Sequence, residues 1–478
     1  MSGRSSNLSR MVVKAMGLFS GVQCLSILCS VVRCKLVALW IGPVGVGLFA
    51  IWNSALDMIT TASNLGVRNS SVRDIASYAS SGDDGAVTRV VAVVRRWSLW
   101  LGIAGALLTM ALAPVLSHTA FGDQEHIWGF VALSVAVFMS SLMCGEQAVL
   151  QGTSQLMRLA KSTAVGTMSG LVISIPLYYF LRIDSVLPSV LVCSVCSAVA
   201  ALHYRGSRYS APKMPRREVL RQGGEFIRLG IFMTVGVLLA MVSNYVFVAY
   251  LNWNGGTEEV GLYQASYTLA NKYVSLVLSA FSMEYFPRLS KVAGSRMRLR
   301  VFASQEINIS LAVLTPLVVV MILLREVVVN LLYSQEFMAM LTCLTWMLVG
   351  MVLRAISWSL SYVILARGDG KAYIVTETLS VAVGLALNVA MYHLWGIDAL
   401  GVSFAIGYAI YIVIMLAVCM CRYKIVLRRG VWGIALASVA VSVGCACAME
   451  HDCVAVAVVL SVASIVGCVA LMRRYLRV

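Results

Sequence analysis

Three observations predict an all-α, polytopic membrane protein. Hydrophobic side chains make up 60% of the 478 residues and charged ones only 12%, with a mean hydropathy of +0.86. That balance lies well outside soluble globular domains. Apolar runs of about 20 residues, the length that crosses the hydrocarbon of a bilayer, recur fourteen times along the chain. Finally, 31 of the 37 Lys and Arg fall on one side of the map that these runs draw, the asymmetry that cytoplasmic loops impose. The net charge of +16 would suggest a nucleic-acid partner in a soluble chain. Here the loop bias accounts for it, and no nucleic acid is expected.

The runs lie near residues 12–34, 44–66, 97–116, 128–150, 162–181 and 185–203, then 228–251, 260–286, 308–333, 340–365, 373–395 and 399–420, with a last pair at 431–449 and 453–472. Arg4 and Arg10 precede the first run as in a signal peptide, but no small-residue cleavage site follows, so a retained first helix is expected. With both termini inside, external loops receive only Arg182 and Arg325, and Arg33, Lys35, Lys272 and Arg354 fall within spans.

A repeat at an offset of 214 residues organises the map. Val46-Gly47-Leu48-Phe49 matches Val260-Gly261-Leu262-Tyr263, Gly170-Leu171 matches Gly384-Leu385, and Ile183-Asp184 matches Ile397-Asp398. The expected organisation is two six-helix halves (1–204 and 228–420), a basic linker (205–227) and an added helix pair (421–478). Paired repeats flanking a central site are a recurrent transporter plan.

Polar stripes mark where such a site would lie. Asn53, Asp57, Thr60, Thr61, Asn64 and Arg68 recur at helical spacing on the second span, and Gln23, Ser26, Ser30 and Arg33 on the first. On the eighth, Gln264, Thr268, Lys272 and Ser275 share one face. Lys272 matches Met58 under the repeat, beside Asp57. Charges in hydrocarbon cost several kcal/mol, so these stripes are expected to face a polar lumen.

The run K-L-V-A-x-x-I-G-P-x-G-V-G-L-F (Lys35 to Phe49), followed by Ser63-Asn64-Leu65-Gly66-Val67-Arg68, resembles the opening of bacterial polysaccharide flippases. These are the Wzx-type O-antigen translocases of the multidrug/oligosaccharidyl-lipid/polysaccharide exporter superfamily. Gly261-Leu262-Tyr263 with Asn271-Lys272-Tyr273 fits the second half of that pattern. The resemblance implies a multi-pass protein of the bacterial inner membrane that moves a polyprenyl-diphosphate-linked oligosaccharide to the outer leaflet. A proton or sodium ion would couple transport, with a polysaccharide polymerase and chain-length proteins as partners.

On this reading Arg33, Lys272 and Arg354, with Lys35 nearer the interface, hold the anionic diphosphate, which suits guanidinium forks and an ammonium point charge. The competing reading pairs them with Asp57, Glu146 or Glu377 for stability alone. The same three carboxylates are the ion-coupling candidates. Rival functions are a multidrug or toxic-cation antiporter of the same superfamily, a peptidoglycan-precursor flippase, and, outside transport, a membrane polymerase or glycosyltransferase. Enzyme signals are sparse. The five His residues are scattered, Gly368-Asp369-Gly370-Lys371 lacks the leading Gly of a phosphate loop, and Cys193-x-x-Cys196 lies inside an apolar run. Neither catalysis nor a cofactor or metal is expected.

Overall fold

Helices form wherever the chain offers an apolar run, and among the described residues there is no strand. The computed structural model describes residues 21–22, 25–64, 66–81, 83–205 and 215–476. The fold divides into two units, at Val260 and Gly261. Among the described residues, eleven segments are long and apolar enough to cross a membrane. One of them, Leu156–His203, contains two helices.

The first unit contains α1 (25–40), α2 (Pro43–Asn64), α3 (Val67–Ser81), α4 (Asp84–Phe121), α5 (Ile127–Gly152), α6 (Leu156–Leu181) and α7 (Val186–His203), and the opening of α8 (Arg216–Lys291). Gly66, at φ +67°, takes the left-handed conformation that side chains resist, and so separates α2 from α3. Arg68, expected on the α2 stripe, therefore sits on α3. Gly256, at φ +78°, breaks α8 in the same way. Asp83 caps α4 by accepting the Ala86 N–H at 2.9 Å.

At 38 residues, α4 is about 57 Å long, nearly twice the hydrocarbon thickness. Its first turns carry Arg89, Arg95 and Arg96, which the sequence map leaves in a loop. Ile75 of α3, Val87, Val90, Val91 and Val94 of α4, and Val149 of α5 form a buried cluster that fixes this end of the helix. At the other end Trp52 packs on Phe121 and Phe130. The Asn252 amide donates to the Ala120 carbonyl at 2.8 Å, joining α8 to the end of α4.

The second unit contains α9 (Arg296–Leu323), α10 (Arg325–Leu332), α11 (Leu341–Ala366), α12 (Gly370–Trp395), α13 (Asp398–Cys421), α14 (Arg429–Glu450) and α15 (Val454–Leu476). Most of α11 is buried, whereas α12 and α15 expose Val375, Leu379, Val459 and Val466. Apolar faces of this extent are stable in lipid, not in water.

The apolar run 308–333 is not one helix, because α9 ends at Leu323 and α10 restarts at Arg325. Arg325, which the charge count assigns to an external loop, is the first residue of α10 and is 7% exposed. Its Nη1 donates to Thr345 Oγ1 at 2.9 Å and its Nη2 to the Met449 carbonyl at 2.8 Å. The last carbonyls of α14 have no helical partner and carry partial negative charge, and a guanidinium there answers both needs.

Asp369 joins the start of α12 to the end of α13. It caps α12 through the Ala372 N–H at 3.2 Å, and accepts from Arg422 Nε at 2.6 Å and the Tyr423 hydroxyl at 2.9 Å. The Ala372 N–H, then Tyr423 and Arg422, hold its carboxyl below the ordinary 3.8. Because the folded value is the lower one, this stabilisation is fully present above the unfolded pKa and is lost as pH falls through the folded pKa.

Two outcomes are expected in detergent. Arg325→Ala leaves a buried carbonyl without its donor and lowers stability by about 2 kcal/mol, read as a drop in thermal midpoint. Wild type loses stability as pH falls below the ordinary carboxylate value of 3.8, and Asp369→Asn flattens that part of the curve.

Candidate functional site

The buried face of α2 runs through Val46, Ala50, Ile51, Ala55 and Ile59, at the helical spacing that the apolar residues dictate. The stripe opposite it is only partly covered within the first unit. Asn53, Thr60, Thr61 and Asn64 are half-buried there and Asp57 is exposed. Asn53 returns its amide to the Phe49 carbonyl at 2.6 Å. Among the described residues, no hydrogen bond or ion pair engages Asp57. On α1, Arg33 and Lys35 are half-buried. The Arg33 Nε is buried without a partner, and its charge acts on the fully buried Tyr178 of α6.

Glu146 belongs to a different arrangement. At 4% exposure, it lies beside Arg95, with Nε 2.8 Å from Oε1 and Nη2 donating to Oε2 at 3.0 Å. Arg205 Nε is 3.5 Å from Oε1. Its cationic neighbours are thus bases from helix ends, not the intramembrane ones the sequence singles out. The missed partner, Arg95, was legible in principle: Asp83 is a helix-capping residue, and the valines at 90, 91, 93 and 94 extend the apolar run back toward it.

In the second unit the structure brings Arg354 and Glu377 into one polar cluster. Arg354 of α11 donates to Asn271 Oδ1 of α8, and its guanidinium lies 5.8 Å over the Tyr408 ring of α13. Glu377 of α12 accepts from the Tyr411 hydroxyl at 2.6 Å and feels the Arg354 charge. The Asn271 amide nitrogen is buried without a partner. Gln264, Thr268 and Ser275 are half-buried along α8, and Gln264 Nε2 lies 3.5 Å from Thr268 Oγ1. The side chain of Lys272 lies outside the described residues. Tyr408 and Tyr411 escape a sequence reading because tyrosines in apolar runs are ordinary; only their α13 register aims both at this cluster.

Cys193 and Cys196 are free thiols on α7, and Ser174 Oγ is 3.6 Å from Cys193 Sγ. Among the described residues, no group of His, Cys, Asp and Glu could hold a metal ion.

The arrangement places cationic groups, Arg33 on α1 and Arg354 on α11, and carboxylates, Asp57 on α2 and Glu377 on α12, in or beside apolar helices. Comparisons with known proteins agree with a transport setting. The chain is 25% identical over 356 residues to the lipid III flippase of Escherichia coli (strain K12), covering 72% of this chain and 82% of that one, and equally to the lipid III flippase of Shigella flexneri. Among solved structures it resembles an inward-facing multidrug resistance MATE transporter of the MOP superfamily, with TM-score 0.70, 14% identity, and coverage of 84% of this chain and 94% of that one. The lipid II flippase MurJ in an inward closed conformation gives TM-score 0.66 at 13% identity, with coverage of 96% and 100%. The model of the family described as polysaccharide biosynthesis protein matches residues 31–342. The chain therefore belongs to the polysaccharide biosynthesis protein family and is a multi-pass membrane protein with the fold of the MOP superfamily.

Proposed function

We propose that this chain is a flippase that carries a polyprenyl-diphosphate-linked oligosaccharide, the repeat unit of an O-antigen, capsule or exopolysaccharide, from the cytoplasmic to the outer leaflet of a bacterial inner membrane. The observation that carries the reading is the presence of Arg33 on the apolar α1 and Arg354 on the spanning α11, together with the partly exposed polar stripe of α2. Cations and amides within hydrocarbon are stable only against water or a polar ligand, and a diphosphate with attached sugars supplies both charge and hydroxyls. The lipid II and lipid III flippases among its relatives support the same substrate class.

In the proposed cycle the chain crosses the membrane fourteen times with both termini in the cytoplasm. Two pseudo-symmetric halves, 1–204 and 228–420, alternate access to a lumen that takes the diphosphate and glycan while the polyprenyl tail stays in lipid. Arg33, Lys272 and Arg354 hold the diphosphate, and Lys35 supports them near the interface. Asn53, Asn64, Gln264, Thr268 and Ser275 line the path. Asp57, with no described partner to exchange first, is the foremost site for a coupling proton or sodium ion. Glu377 is second, tied to Tyr411; Glu146, held by Arg95, is the third. No step requires a cofactor or catalysis.

The test is translocation of a fluorescent polyprenyl-diphosphate oligosaccharide in proteoliposomes. Arg33→Ala with Arg354→Ala is expected to lower the rate at least about tenfold, the loss of one charge-assisted contact, whereas Arg182→Ala leaves it unchanged. A double variant that transports normally overturns the assignment. Asp57→Asn is expected to retain lipid binding but lose the response to an imposed ion gradient. Export of organic cations with no glycolipid movement would instead mark the protein as a drug antiporter.

A further inference from the structure

Helices α9, α14 and α15 of the second unit carry none of the residues given to the transport cycle, yet they enclose a cavity of about 270 Å³. Ala312 and Thr315 of α9 lie along its floor, and Gly433, Ala437, Ala463 and Gly467 belong to the walls that α14 and α15 supply. The two floor residues are buried and these four wall residues are exposed, so the cavity is a notch that opens outward. The walls stand apart because their side chains are small: a Cβ added at Gly433 or Gly467 would meet nothing within 4 Å. No charged residue lines the notch. A helix with its side chains is about 10–12 Å across, so a space of this volume admits a hydrocarbon chain and not a helix of a second copy.

One hydrogen bond sets the depth of the notch. The Arg428 N–H donates to Ser304 Oγ at 3.3 Å, which places the start of α14 level with Ser304 of α9. At 1.5 Å of rise per residue, the lining stretches 311–316 and 433–441 begin about 10 Å beyond that level and end within about 20 Å of it.

Cations stand at the near end. Arg429 is exposed on α14, one turn before Gly433. Arg300 is half-buried on α9, one turn before Ser304, and its Nε is buried without a partner. Among the described residues, no hydrogen bond or ion pair engages either guanidinium. The sequence of features along the helices is therefore two unneutralised cations, then an apolar notch.

An anionic phospholipid has the complementary layout, a phosphate followed by a long apolar chain. Lipid tails are as apolar as the notch, so hydrophobicity alone holds no lipid there in preference to its neighbours. The charge supplies the preference, because guanidinium forks match phosphate oxygens in geometry and sign, and the notch supplies the place for the chain. We infer that the notch seats one acyl chain of an anionic phospholipid whose phosphate is held by Arg300 and Arg429. The lipid fills the space between α14 and α15 and ties both to α9, and it is distinct from the glycolipid that the transport cycle moves.

The experiment is native mass spectrometry of the full chain released from nanodiscs containing phosphatidylglycerol and phosphatidylcholine. Wild type is expected to retain one phosphatidylglycerol per chain. Arg429→Gln is expected to reduce that retention about fivefold and Arg300→Gln with Arg429→Gln about 25-fold, at about a factor of five per basic residue near an anionic headgroup. Gly467→Phe, which puts a ring into the open notch, is expected to abolish retention with both arginines in place, and Gly433→Leu repeats that test from the opposite wall. Matched thermal midpoints establish that each variant is folded. If the double variant is not, Arg429→Gln, at an exposed side chain, carries the charge test alone. Retention unchanged by Arg429→Gln overturns the headgroup assignment, and retention unchanged by both glycine variants overturns the notch. Displacement of phosphatidylglycerol by equimolar polyprenyl-diphosphate oligosaccharide, lost in Gly467→Phe, overturns the phospholipid in favour of the tail of the transported lipid.

Discussion

Hydrocarbon offers no hydrogen bonds, and the rest of this structure follows from how each polar group meets that constraint. Backbone groups meet it by forming helices along the apolar runs of the described residues. Side chains meet it in three ways. Glu146 is enclosed by Arg95, Arg325 is enclosed by Thr345 and the end of α14, and Arg354 rests on Asn271 and the Tyr408 ring. On the α2 stripe Asn53 turns back to its own helix, whereas Asp57 meets it in none of these ways. A carboxylate that the described residues do not satisfy is where water, an ion or a hydrophilic substrate is needed, and this is why transport is the natural reading of the chain.

The same distinction sorts the carboxylates, which a sequence alone cannot rank. Asp57, Glu146 and Glu377 look alike as acidic residues in apolar runs. In three dimensions one is exposed and has no described partner, one is locked in an ion pair, and one is tethered by a tyrosine hydroxyl. Only a group whose partners can change is suited to take up and release a cation. The folds shared at 13–14% identity by drug transporters and lipid flippases fix the scaffold and not the cargo, so the chemistry of such side chains carries the distinction.

Much of the fold was legible in the sequence because hydropathy reports membrane spans directly: the apolar runs near 44–66, 97–116 and 128–150 lie on α2, α4 and α5. The face of α2 was legible too, since its apolar and polar residues recur at helical spacing. What escaped depends on groups far apart in the chain. Arg95 reads as a loop residue until α4 is seen to start at Asp84, and Arg325 reads as exposed until the Met449 carbonyl, 124 residues later, is beside it. Arg68 left its stripe because a single left-handed glycine, Gly66, ends the helix. Periodicity describes one helix at a time, and these contacts join several.

The seat of Arg325 bears on how the second unit is made. A membrane protein enters the bilayer in chain order, and the guanidinium is synthesised long before the carbonyl that accepts from it. Until α14 is inserted, Arg325 has only Thr345 to replace water, and the break between α9 and α10 must stay near the aqueous boundary. The seat of Arg325 is complete only when α14 arrives. A nascent chain halted before α14 would present quality control with a solvent-seeking arginine.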